Sequence, residues 1–401
     1  MDIAVLLLSS RCNLACAYCY QQARVGPPSM SWQVAKASIN VLLKEGAARP
    51  LLQFSGGEPL LEPRLLEQCL IYLRGRAEGQ AVRPSLTTNG TLLTPHLAEL
   101  LVEHDVALQV SFDGAAAAQD RRGAGTFGRL LDALSLLRDT HLRYFADQVE
   151  IRAGLLPSTV GTVADSCAVL LELDAQNVKF YPVMGHSEAC PQKVFETLCA
   201  QMERVVEESI AHWRRTGSVP VAFLRQDPGR GRTPDCGLCC SAGKTSNICV
   251  DTAGHAWSCV MFASSVRALS RLGRTASEVL DLGDIRDPSF PEKLAALPAK
   301  AAELLLLTRR GEKRSSAGTC RDCELLGECF YCPAATAYLA GNDDPHRVDD
   351  FACAFTRASA AARRSFHKKT GGAVLAAQKE DLRRALLRLT GAVRRDLESP
   401  P

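Results

Sequence analysis

The sequence has no apolar run approaching the roughly 20 residues that a membrane-crossing helix needs. It also lacks a basic segment ahead of its first apolar run. Asp2 stands there instead, and the run is short, so a secretory signal is not expected. Charge of one sign is scarce in excess: the net charge is only +3 over 401 residues. That gives no support for partners held by charge alone, such as a nucleic-acid polyanion or an anionic membrane surface. No internal repeat and no low-complexity tract is present. These absences lead to the expectation of a soluble, cytoplasmic protein of two or three domains, without nucleic-acid or membrane partners.

What the chain has in quantity is cysteine, with 17 residues. Cys12, Cys16 and Cys19 stand on one short stretch. Five lie between 236 and 259, and five more between 320 and 353. A disulfide framework belongs to short secreted chains, and clustered thiolates in a reducing compartment point to metal. Cys69, Cys167, Cys190 and Cys199 are scattered through apolar surroundings such as "EQCLIYL" and are expected to be buried small hydrophobes.

The first ~215 residues alternate short apolar strands with helical patterns. The strands are read at "IAVLLL", "LLQFS", "PSLTT", "VALQVSF", "VEIRAGLL" and "NVKFYPV". Ser31 is the expected cap of the first helix, whose inner face carries Trp32, Ala35, Ile39 and Leu42. Parallel strands need helix-length crossovers, so the expected fold class is α/β, a partial (β/α)6 TIM-type barrel. A small cysteine-rich iron–sulfur domain and a C-terminal helix follow it. The expected bounds are 1–218, 219–356 and 357–401. Polar or glycine-rich stretches follow successive strands: "SSRCNLACAYC", "SGGEP", "TTNG" and "SFDG". In such sheets ligands bind beyond the carboxyl ends of the strands.

Three cysteines on one loop can ligate three irons of a four-iron cube and leave the fourth iron open, and an open position marks a catalytic centre. The spacing C-x3-C-x2-C, with Tyr18 before the last cysteine, resembles the radical S-adenosylmethionine superfamily. That resemblance implies a [4Fe–4S] cluster on Cys12, Cys16 and Cys19. It implies S-adenosylmethionine on the open iron, cleaved after one-electron reduction to a 5′-deoxyadenosyl radical. It further implies cofactor contacts from Tyr18, Gly56, Gly57, Glu58, Thr88, Asn89, Ser111, Asp113 and Arg122. The plain alternative for Asn89-Gly90 and Asp113-Gly114 is a turn.

Farther on, Cys240 is followed after thirteen residues by Gly254 and then by Cys259. Cys320, Cys323, Cys329 and Cys332 come next, then Cys353. This resembles the SPASM domain of peptide- and protein-modifying radical enzymes, which implies two auxiliary [4Fe–4S] clusters. The family has three residues where "CFYC" has two, which bears on Cys332. The interleaved pattern implies an outer cluster on Cys320, Cys323, Cys329 and Cys353, and an inner one on Cys240, Cys259 and Cys332. The inner cluster's fourth ligand is left to Cys236, Cys239, Cys249 or an open iron. Zinc is the alternative metal.

The resemblance implies a maturase of a peptide or protein substrate, acting by hydrogen abstraction followed by oxidation or by thioether or carbon–carbon crosslinking. It also implies an external electron donor such as flavodoxin or ferredoxin. The chain opens at its first strand, so leader-peptide recognition is expected from a separate protein, from the tail, or not at all. Val260 follows Cys259 where sulfatase-maturating enzymes carry an aspartate, which weighs against, without excluding, formylglycine formation. Modification of a small cofactor precursor is a further alternative, and an iron–sulfur electron carrier or scaffold is the non-enzymatic one. Tyr181, His186, Asp235 and His255 lie where a general base would, and none is singled out.

Overall fold

The computed structural model describes residues 1–21, 26–76, 78–183, 188–226, 242, 245–263, 269–307, 309–329, 331–338 and 344–374. Cys236, Cys239, Cys240, His186, Asp235 and the leucine-bearing tail beyond 374 lie outside them. The strands are β1 (Ile3–Ser9), β2 (Leu51–Gly56), β3 (Arg83–Thr88), β4 (Ala107–Ser111), β5 (Val149–Leu155) and β6 (Val178–Pro182), then β7 (Asn247–Val250), β8 (His255–Trp257) and β9 (Asp281–Asp284). The helices of the first half are α1 (Trp32–Glu45), α2 (Pro63–Arg74), α3 (Pro95–Glu103), α4 (Ala116–Gln119), α5 (Thr126–Thr140), α6 (Leu142–Gln148), α7 (Val163–Glu172) and α8 (Gln192–Thr216). Those of the second half are α9 (Arg271–Val279), α10 (Phe290–Leu306), α11 (Pro333–Tyr338) and α12 (Asp350–Lys369).

Strands β1 to β6 lie side by side in chain order, each parallel to the next, with the helices as crossovers. This is the partial (β/α)6 barrel read from the alternation of apolar runs. The sequence rhythm did not show that the sheet continues past β1. There β7 pairs parallel to β1, and β8 and β9 follow antiparallel, making nine strands.

Register explains how the sheet is held. Val250, Leu6, Phe54, Leu86, Leu108 and Val149 are paired in turn across six strands. All six are buried. Side chains at paired positions share a face, so this row is one apolar seam running across the sheet. Helix α1 begins as expected, with the Ser31 hydroxyl accepting from Val34 N at 3.3 Å. Ala35, Ile39 and Leu42 are buried beneath it. Trp32 is only partly buried and meets Tyr72 of α2 edge-on at 5.4 Å. Cys69 and Cys167 are fully buried core residues, and burial pushes both thiols up to about 12. Cys190 and Cys199 are half-buried against the same core.

Helix α12 packs along α8 of the barrel. Arg357 lies 4.7 Å over the Phe195 ring, and Ser365 and Lys369 both reach Glu203, at 2.9 and 2.5 Å. Its N-terminal turn belongs to the cysteine-rich region, so one helix spans both halves of the chain.

Phe54 sits in the middle of the seam with 0% exposure. Phe54→Ala is expected to lower the unfolding free energy by about 3–5 kcal/mol, read as a lower urea midpoint at unchanged slope.

Candidate active site at the strand ends

The loop carrying Cys12, Cys16 and Cys19 leaves the carboxyl end of β1 and is tied to its neighbours by backbone first. Gly57 N donates to Ser9 O at 2.8 Å and Glu58 N to Arg11 O at 2.8 Å, carrying the β1–β2 pairing past the strands. Only glycine permits that approach. A Cβ at Gly57 would lie 2.1 Å from Arg11 O. Gly56 sits at φ +130, where a side chain is strained. The closeness these glycines provide is thus, first of all, to the cysteine loop itself.

Glu58 is fully buried and faces inward. Its Oε1 accepts from Leu60 N at 2.9 Å and from the Thr88 hydroxyl at 2.7 Å; its Oε2 accepts from Asn89 N at 2.8 Å. Burial raises its pKa against the pull of those donors. Glu58 therefore clasps the "TTNG" turn to the "GGE" turn. Asn89 extends the clasp: its Nδ2 donates to Asn13 Oδ1 at 2.9 Å and lies 3.8 Å from Cys12 Sγ. Asn13 in turn donates to Thr91 Oγ1 at 2.8 Å. Leu14 N adds a bond to Cys12 Sγ at 3.4 Å.

The other side of the loop is held by charge. Asp113, 1% exposed, accepts four bonds. Tyr18 Oη donates at 2.6 Å, Gly154 N at 2.7 Å, and Arg122 through Nε and Nη2 at 2.8 and 2.9 Å. The guanidinium of Arg122 also lies 5.3 Å over the Tyr18 ring and donates to Tyr181 Oη at 3.4 Å. Gln119 fixes the backbone, accepting from Asp113 N at 3.1 Å. Burial pushes the Cys16 thiol up to about 11, and the nearby Arg122 cation opposes it. That cation favours the thiolate that iron ligation requires. Ser111 ends β4 half-buried, opposite Arg152.

Tyr18, Gly56, Gly57, Glu58, Thr88, Asn89, Asp113 and Arg122 are therefore brought into one connected set around the cysteine loop. Asn13, Gln119 and Gly154 belong to it and were not found from sequence. Asn13 stands between two of the loop cysteines, a position that could have flagged it. Gly154 acts through backbone N–H and leaves no residue-type signal. Among the described residues no three His, Cys, Asp or Glu side chains converge as ligands of a single ion. A four-iron cube asks instead for thiolates held apart, each meeting its own iron.

The second cysteine system gathers around the start of α12. Cys320, Cys323, Cys329 and Cys353 lie within electrostatic reach of one another. Burial pushes the Cys320 thiol up to about 11. Cys353 Sγ is 3.4 Å from Ser315 Oγ, and Cys329 Sγ is 3.5 Å from Thr356 Oγ1. Glu328, next to Cys329, pairs with buried Arg363 on the same helix. Cys332 is near Arg310 and Lys313, and Lys313 is in reach of both Cys320 and Cys332. Burial holds the Lys313 ammonium down to about 8. Cys259 follows β8 and lies near Cys249, a fully buried residue of β7. Tyr20, 41% exposed and directly after Cys19, is in electrostatic reach of Cys19, Cys249 and Cys259. It is one described residue that lies near cysteines of both systems. His255, on β8, pairs with Asp281 at 2.5 Å.

Three thiols thus stand on one strand-end loop, clasped by the next three strand-end turns. Residues 6–157 match the family model described as the Radical SAM superfamily, and this stretch is a radical SAM domain, a kind of domain that binds a [4Fe–4S] cluster and S-adenosylmethionine. An uncharacterized protein of Methanocaldococcus jannaschii is 34% identical over 28% of this chain and 39% of its own length. The chain thus spans well under half of that relative. The serine-type anaerobic sulfatase-maturating enzyme of Klebsiella aerogenes is 24% identical over 83% of this chain and 79% of its own. Among solved structures, native anSMEcpe with bound AdoMet and the Kp18Cys peptide superposes with a TM-score of 0.67. It has 17% identity and covers 95% of this chain and 100% of that one. Streptococcus suis SuiB bound to its precursor peptide SuiA gives 0.54 at 13% identity, covering 88% and 75%. At these identities the structural matches show the shared fold.

Asp113→Asn leaves the buried Arg122 without its counter-charge. It is expected to cost about 3–5 kcal/mol in a urea titration and to loosen the cysteine loop. Gly57→Ala, which drives a Cβ into Arg11 O, is expected to lower the iron retained by the first cysteine triad, read as iron per chain after desalting.

Proposed function

We propose that the chain matures a peptide or protein substrate by radical chemistry. The observation carrying this reading is the fold likeness to anSMEcpe, which covers 95% of the chain, its cysteine-rich half included, and whose structure holds AdoMet and a peptide. Cys12, Cys16 and Cys19 would hold the first cluster, to which the fit is good: three thiols on one braced loop, with a buried guanidinium favouring a thiolate. When bound and reduced, the cluster and S-adenosylmethionine supply a carbon radical that abstracts hydrogen from substrate. The chain's own work is positional. Glu58 and Asn89 lock the "GGE" and "TTNG" turns to the loop, and the Asp113–Arg122 pair locks Tyr18.

In the same reading Cys320, Cys323, Cys329 and Cys353 hold one auxiliary [4Fe–4S] cluster, and Cys259 and Cys332, with Cys240, contribute to another. The mutual reach of the first four thiols supports that grouping. Cys249 is the one candidate fourth ligand among the described residues, and its nearness to Cys259 favours it. The expected partners are the substrate polypeptide, an external donor such as flavodoxin or ferredoxin, and a separate protein for any leader sequence.

Formylglycine formation is the second reading, favoured by the 24% identity over 83% of the chain to a sulfatase-maturating enzyme. Against it, Cys259 is followed by Val260, which opens a short turn (Val260–Phe262) and packs on the core. That position brings no carboxylate to act as base.

Anaerobic reconstitution is expected to give about twelve irons and as many sulfides per chain, falling to about eight when Cys12, Cys16 and Cys19 are all replaced by Ala. Reduction with S-adenosylmethionine is expected to yield 5′-deoxyadenosine and methionine, abolished in that triple variant. Stoichiometric zinc, or no cleavage by a fully loaded chain, overturns the reading. Mass spectrometry of a sulfatase-motif peptide decides between the two substrates' chemistries: formylglycine would establish the second.

A further inference from the structure

Two cations beside the second cysteine system, Lys313 buried and Arg310 half-buried, have no part in the reaction outlined above. Lys313 is 2% exposed, and its Nζ donates to the carbonyls of Leu307 and Pro345, each at 2.5 Å. The acids around it are engaged elsewhere: Glu312 with Arg309, and Asp344 with Arg314. A buried ammonium satisfied only by neutral dipoles is costly unless an anion lies close. The acidic groups within its electrostatic reach are Asp344 first, then Cys320 and Cys332, then Glu312. The backbone keeps Cys320 beside Lys313, since Cys320 N donates to Lys313 O at 2.9 Å. Arg310, one short turn earlier, lies 5.3 Å over the Tyr331 ring and donates to Tyr331 O at 3.4 Å. Its Nε and the Tyr331 hydroxyl are both buried with no partner among the described residues. Tyr331 is itself 2% exposed and near Cys320, Cys329 and Cys332.

Two cations and an unspent phenol thus stand beside cysteines, and the carboxylates in reach, Asp344 and Glu312, are each shared with an arginine. An iron–sulfur cluster on thiolates carries net negative charge and would supply a closer counter-charge. We propose that Lys313, with Arg310 beside it, is a fixed positive charge that raises the reduction potential of the auxiliary clusters ligated through Cys320 and Cys332. Adding an electron makes such a centre more negative, and a nearby desolvated cation stabilises that state more than the oxidised one. Hydrogen bonds from Tyr331 to cluster sulfur would act in the same direction. Lys313 and Arg310 are positioning charges in this account and touch no substrate. The inference rests on the auxiliary-cluster reading above, which iron content of the native chain tests by itself.

The experiment is an EPR-monitored redox titration of the full-length, anaerobically reconstituted protein, native and as Lys313→Met, Lys313→Arg and Arg310→Met. Lys313→Met is expected to lower the one-electron reduction constant of the auxiliary signals about tenfold, a downward shift of about 59 mV. Lys313→Arg is expected to stay within about threefold of native. The signal of the Cys12/Cys16/Cys19 cluster is expected to be unmoved in both. An unshifted auxiliary potential in a Lys313→Met chain with native iron content overturns the proposal. If Lys313→Met loses auxiliary iron, Arg310→Met decides: it leaves the Lys313 bonds in place, so a downward shift supports the proposal and none overturns it.

Discussion

Everything at the candidate site hangs from the pairing of β1 on both its edges. β1 is hydrogen-bonded in parallel to β2 on one side and to β7 on the other. The loop with the first three cysteines therefore leaves a strand that cannot shift without breaking two ladders. The bonds from Gly57 and Glu58 to Ser9 and Arg11 extend one ladder into the loop. Position is thus fixed by backbone before any side chain contributes, and glycine is required where the two chains come closest.

The side chains then close the gaps between neighbouring loops with buried polar groups. Glu58 and Asp113 are carboxylates almost without exposure, and each is satisfied by three or four donors from different strand ends. Such groups are costly when half-satisfied and rigid when complete. Completion depends on β2, β3, β4 and β5 all being in register, so the site reports on the whole sheet.

The barrel was legible because its cause is local: each strand is an apolar run, each crossover a helical period, each functional turn a break in pattern. The cap at Ser31 was legible for the same reason. What was not legible was which groups pair. Glu58, Asp113 and Arg122 read as cofactor contacts by resemblance; their bonds to Thr88, Tyr18 and one another come from strand order and register, which residue types do not encode. The extension of the sheet by β7 to β9 was hidden because β7 joins β1 across more than 240 residues of chain. Helix α12, divided at residue 357 by the sequence reading, runs unbroken from Asp350 to Lys369. The apolar period that marks it begins within the cysteine pattern, and the cysteines drew the boundary.

That helix couples two parts of the molecule energetically. Its first turn carries Cys353, its middle holds Glu328 through Arg363, and its length lies on α8 of the barrel. A group that binds the folded arrangement and not the unfolded chain stabilises it by mass action. Iron delivered to the cysteine-rich half would therefore be felt as rigidity in the barrel, through a beam common to both.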